Sequence, residues 1–118
     1  MVRLTEARNA FVETLFESIK NPLFSRSYYG FDKESNSVET AKSWYFAQWF
    51  DAEGMLIILF KSCTNADDEK NSTSYRLSVF AADSIGSFDI QITEPEYKRL
   101  LTILGGEDEQ NKEHQGGE

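Results

Sequence analysis

Cysteine and histidine are almost absent. Cys63 is the single cysteine and His114 the single histidine among 118 residues, so one chain can close no disulfide and assemble no Cys/His zinc site. The same scarcity takes the commonest general base away from the folded region. Cys63 therefore reads as a small apolar filler at a strand end, with no histidine to activate its thiol. Long apolar runs are missing too: the longest, Met55–Phe60, falls far short of the roughly 20 residues of a membrane helix. The opening Met1-Val2-Arg3-Leu4-Thr5-Glu6 has no apolar core and cleavage site of a secretory signal. The expectation is a protein of the cytoplasm, in the producing or the host cell, with no membrane association.

Catalytic signatures are missing as well. The chain holds no phosphate-binding Gly-rich loop, no G-x-S-x-G elbow, no H-E-x-x-H and no EF-hand loop. Paired carboxylates are available in Asp89 with Glu94 and in Asp51 with Glu53. They sit where solvated strand and turn acids ordinarily sit. Asp67-Asp68-Glu69 offers oxygen ligands for a hard cation, but consecutive acids in a loop rarely converge on one ion. The reading is a non-enzyme with no catalytic residue, no cofactor and no metal.

What is present is acid and aromatic. The net charge of −8 is unevenly spread. Residues 1–50 are neutral, residues 51–96 carry −6, residues 97–104 carry +2 and residues 105–118 carry −4. Duplex nucleic acid needs clustered Lys and Arg against its phosphates, and no such cluster exists here. A basic protein surface is the charge-complementary partner.

The length fits one domain, expected over residues 1–104 with 105–118 as an acidic flexible tail. Leu4–Lys20 reads as a helix, capped by Thr5 and stopped at Asn21-Pro22, with Ala7, Phe11, Val12, Leu15, Phe16 and Ile19 on its apolar side. Phe24–Phe31 fits either a strand or a packed loop, and Asp32–Ser37 is turn-like. Trp44–Phe50 is preferred as a strand over a rival helix from Val38 to Trp49. Asp51-Ala52-Glu53-Gly54 then reads as a four-residue hairpin loop, with Gly54 at positive φ. Met55–Phe60 has the continuous apolar pattern of a central strand covered on both faces. After a polar loop over 65–73, Tyr75–Ala82 alternates, Asp83–Ser87 turns, and Phe88, Ile90 and Ile92 alternate with Asp89, Gln91 and Thr93. Thr93, Pro95 and Glu96 open a second helix as a capping box, and Gly105-Gly106 ends it. The predicted class is α+β: a helix, a four-stranded antiparallel meander and a short helix, with the helices on one sheet face.

Nine of the sixteen aromatic residues fall between Phe24 and Phe50, five of them in Trp44–Phe50. One sheet face cannot hold five rings of a single strand. Trp44, Phe46 and Phe50 form one set, and Tyr45 and Trp49 are expected on the more open face. The predicted partner-binding residues are Tyr45 and Trp49 as anchors, with Asp51, Glu53, Asp67, Asp68 and Glu69 as the acids that meet a basic partner. In size and composition the chain resembles small acidic inhibitor and adaptor proteins, such as immunity proteins, anti-defence proteins and secretion chaperones. The alternative is a structural homo-oligomer, a dimer among them, or a secretion-chaperone-like adaptor, pairing through the aromatic sheet face, and a carboxylate-pair enzyme comes third.

Overall fold

Helix α1 (Val2–Ser18) forms because Val12, Leu15 and Phe16 return to one side every three to four residues. All three are buried. The helix starts one turn before the expected cap, so Thr5 lies inside it. Nothing among Val2, Arg3 and Leu4 breaks a helix. It ends ahead of Asn21, which takes a left-handed φ of 53° next to Pro22 and turns the chain into the sheet.

The computed structural model describes residues 2–31, 41–81 and 87–107. Its sheet has five strands, one more than predicted: β1 (Leu23–Phe31), β2 (Trp44–Ala52), β3 (Met55–Cys63), β4 (Thr73–Ala81) and β5 (Ser87–Ile92). They pair in sequence order, and every pairing is antiparallel. The extra strand is β1, whose alternation is broken by a bulge between Phe24 and Arg26. That extra residue lets Phe24 face the helices while Arg26 faces the other way. Strand β2 forms as preferred over the helix, although the rival helix's start at Val38 and the turn over 32–37 lie outside the described residues. Ala52 pairs directly with Met55, so the β2–β3 loop is the two residues Glu53-Gly54 rather than four. Gly54 holds φ 75°.

The polar loop after β3 is structured: a 3-10 turn over Ala66–Asp68 leads into α2 (Glu69–Ser72). Asn65 caps the turn, its side chain accepting from the Asp67 amide. Most of the predicted turn over 83–87 lies outside the described residues. Helix α3 (Glu94–Leu104) has the full capping box between Thr93 and Glu96, and Gly105 closes it at φ 72°.

Both long helices lie on the same side of the sheet. Val12, Leu15 and Phe16 of α1 and Tyr97, Leu100 and Leu104 of α3 close over Phe50, Ile57, Leu59, Leu77, Val79 and Ile92. Arg99 donates to Glu13 at 2.6 Å across the two helices. A smaller cluster of Ala41, Trp44, Phe46 and Cys63 packs at the other end of the same face. Cys63 is buried there at a strand end, as its isolation suggested.

The covered chain continues past α3. Gln48, fully buried in β2, donates from Nε2 to the Glu107 carbonyl at 2.9 Å and accepts from its amide at 2.6 Å. Residues 105–107, expected as the start of a solvated tail, therefore lie against the sheet. The remainder of that tail, 108–118, is outside the described residues.

Candidate protein-docking face

Strand alternation and register assign every outward side chain of the sheet. Counting across the strands, one rung runs Arg26, Trp49, Ile58, Ser78 and Asp89. The next runs Tyr28, Ala47, Phe60, Arg76 and Gln91 on one side of it. On the other side stand Leu23, Asp51, Leu56, Phe80 and Ser87. No helix among the described residues lies over these rungs. Met55–Phe60 is thus the central strand, as its pattern suggested, but helices cover only one side of it. Ile57 and Leu59 are buried beneath the helices, while Leu56, Ile58 and Phe60 point to the bare side.

Tyr45 and Trp49 stand on this bare face, as expected. Tyr45 is 41% exposed and part of its ring is used locally. It covers Gly30 directly opposite, where a Cβ would sit 2.2 Å from the Tyr45 ring. Trp49 is half-buried, with the Arg26 guanidinium 4.1 Å over its ring. That cation–π contact ties the indole to β1. Phe80 and Tyr28 add rings that are 42% and 53% exposed.

The five predicted acids do not surround these rings. Asp51 borders the face beside Leu56, and Glu53 sits in the adjoining turn, where it accepts from Asn21. Asp67, Asp68 and Glu69 lie at the opposite end of β3, about 27 Å away along a nine-residue strand. Asp68 is engaged there by the Asn71 amide at 3.1 Å. Of the carboxylates considered as acid/base pairs, Asp89 is in an ion pair with Arg76 at 3.3 Å and Glu94 in one with Lys98 at 3.2 Å. Among the described residues, no three side chains converge as metal ligands.

No protein family, characterised protein or solved structure matches this chain. Its chemistry must be read from the face itself.

That face is apolar along its midline and balanced at its flanks. Leu56, Ile58 and Phe60 form the midline, with Trp49 and Phe80 beside it, and the charged residues are Arg26, Arg76, Asp51 and Asp89. A half-open depression of about 410 Å3 lies over Tyr45, Phe60, Ser62, Ser74, Arg76 and Gln91, with Tyr75 below. Ser62 and Ser74 hydroxyls meet across it at 3.0 Å. It is a shallow feature of a broad surface rather than an enclosed cavity.

Sequence reading missed Leu56, Ile58, Phe60, Phe80, Arg26 and Tyr28 as members of this face. The signals were present. Phe80 is a large ring on the otherwise polar side of β4, and a fully apolar β3 must send three of its side chains away from the helices. Only the bulge in β1, which brings Arg26 over Trp49, had no trace in the pattern.

Proposed function

We propose that this chain is a non-enzymatic protein-binding protein that docks its partner on the helix-free face of the sheet. The observation that carries this is the row Leu56, Ile58 and Phe60, flanked by Trp49, Tyr45 and Phe80, with no element of the described chain over it. A contiguous apolar patch of this kind is unfavourable in water and marks an interaction surface. Burial from full exposure is worth about 1.5–3 kcal/mol per side chain, and Leu56, Ile58 and Phe60, already half-buried, gain the remaining part of it. Trp49, Tyr45 and Arg26 beside that row are of the residue types that dominate binding energy.

The acids act at a distance. With net charge −8 and Asp67, Asp68 and Glu69 beyond the end of the face, they accelerate encounter with a basic protein surface without sitting inside the contact. An inhibitor or immunity-type protein that occludes such a surface fits this arrangement. The balanced charge of the face itself favours a second reading, self-association, because a surface built for a basic partner would carry excess acid.

The test is capture from native cell extract with wild type, Ile58→Arg and Trp49→Ala, washed at low and then high salt. A captured protein that survives the high-salt wash on wild type and is lost with both variants supports the reading. Equal capture by all three, with unchanged circular dichroism, removes the face from the function.

A further inference from the structure

We propose that the partner this face fits is a second copy of the chain, packed face to face about a two-fold axis running along β3. The inference rests on partner docking at this face and takes its self-association reading, in place of a basic partner, as the occupant.

The warrant is register. β3 is the middle of five strands, so Leu56, Ile58 and Phe60 form the midline. A half-turn about an axis over β3 keeps every residue at its own height along the strands and exchanges β2 with β4 and β1 with β5. The rung through Ile58 then places Trp49 over the small Ser78 of the second copy, and Arg26 over its Asp89. Each of these contacts occurs twice. One rung further, the long Arg76 of the second copy stands at the position of Ala47, whose own neighbours already bury it, and in the next Tyr45 lies over Ser74. Off the axis, Trp49 and Tyr45 face smaller side chains and Arg26 faces Asp89, which its own chain pairs with Arg76; on the axis Leu56, Ile58 and Phe60 each face their own copy. At the end of the face, Asp51 comes against Phe80 at the rim, where the carboxylate stays in water. A two-fold across the strands through the Ile58 rung returns each strand to itself and sets Arg26 against Arg26 and Asp89 against Asp89.

The area is sufficient. Strands of nine residues are about 30 Å long, and five of them span about 20 Å, so each face offers roughly 600 Å2. Two such faces bury roughly 1,200 Å2, the lower end of the range for specific interfaces. Aligned packing of two twisted sheets, about 10 Å apart, is the corresponding architecture. Because each copy carries −8, salt relieves repulsion between the copies while leaving apolar contact intact.

Light scattering on the full chain tests this. Wild type is expected at twice its 13.5 kDa, unchanged at about 1 M salt, and Ile58→Arg as a monomer of unaltered circular dichroism. Arg26→Asp and Asp89→Arg should each dimerise about tenfold more weakly, while an equimolar mixture of the two regains wild-type affinity, because only the mixed dimer restores both pairs. A wild type that stays monomeric at about 100 μM overturns the dimer. So does a dimer indifferent to Ile58→Arg, and a dimer that Ile58→Arg dissolves but whose charge variants show no rescue on mixing overturns this axis. The docking reading is judged separately: it survives a monomeric wild type if the captured protein is still lost with Ile58→Arg, and falls with the dimer if capture is unchanged.

Discussion

Arg8 in α1 and Glu96 in α3 are joined across 88 residues, Nη2 to Oε1 at 2.8 Å, with Nη1 on the second carboxylate oxygen. The same guanidinium donates to the Gln91 carbonyl at 2.9 Å. Glu96 also accepts from the Thr93 amide at 2.9 Å. One carboxylate therefore closes the cap of α3, ties it to α1 and, through Arg8, covers the edge of β5.

This pairing predicts an acid-sensitive contribution to stability. The hydrogen bond from Arg8 holds the Glu96 carboxyl below its usual range, outweighing the opposing effect of burial, with help from the Thr93 amide. A carboxyl whose folded pKa is depressed contributes fully above its unfolded value, about 4.3, and loses the contribution as pH falls through the lower folded value. Arg8 is raised by the same hydrogen bond and stays charged throughout. Glu96→Gln should cost about 1–2 kcal/mol at neutral pH. In urea titrations the gap to wild type should narrow steadily below the usual glutamate range. A gap independent of pH contradicts the assignment.

The buried Gln48 makes a second prediction. Its amide satisfies both the N–H and the C=O of Glu107, and Gly106 fits beneath because a Cβ there would lie 2.9 Å from Gln48 and Phe50. Gln48→Met keeps the volume and removes both bonds, at a cost of about 1–2 kcal/mol. Residues 105–107 should then detach, seen as faster amide exchange at Glu107 and earlier proteolysis there while the sheet amides stay protected.

The contrast between α3 and Gln48 shows what the sequence can reveal. Thr93, Pro95, Glu96 and Gly105 each act within a few residues of their own position, so α3 is legible from its start to its end. The alternation of β4 and β5 is legible for the same reason. Gln48 acts on a segment 59 residues away, and nothing local distinguishes it from an outward polar residue. Edge strand β1 is obscured by its bulge and by exposure on its outer side. On the docking face, β2 alone groups Tyr45 with Trp49, while which of its two sets is bare depends on the side the helices take. The remaining members depend on which side of the sheet the helices choose, and the distance of Asp67, Asp68 and Glu69 from the anchors depends on the whole length of β3.

The two tryptophans should separate folding from recognition. Trp44 is 4% exposed and packs with Phe46 and Cys63 under cover, so Trp44→Ala should cost about 3–5 kcal/mol. Trp49 stands on the bare face under Arg26. Trp49→Ala should cost about 1 kcal/mol in the isolated chain, mostly lost packing and cation–π contact, and weaken association far more than folding. Thermal melts of both variants at matched concentration check this. A Trp49→Ala chain that unfolds would place the indole in the core.

Gly30 offers a probe of the face that leaves its charges alone. The residue lies opposite Tyr45, and an added Cβ would meet Cε1, Cζ and Oη of that ring at 2.2, 2.5 and 2.8 Å. Those atoms are the far end of an exposed side chain, which can swing aside, so Gly30→Ala should displace the ring and leave the β1–β2 pairing intact. The ring now shields Gly30 and lies 5.9 Å from Tyr28, as an aromatic covering a strand glycine does. Removing that cover while gaining the strand preference of alanine over glycine makes the net stability change small, within about 1 kcal/mol. Association through the face should nevertheless fall, because Tyr45 no longer lies where a partner meets it. A Gly30→Ala chain with native melting temperature and undiminished association would show that Tyr45 serves β1 alone.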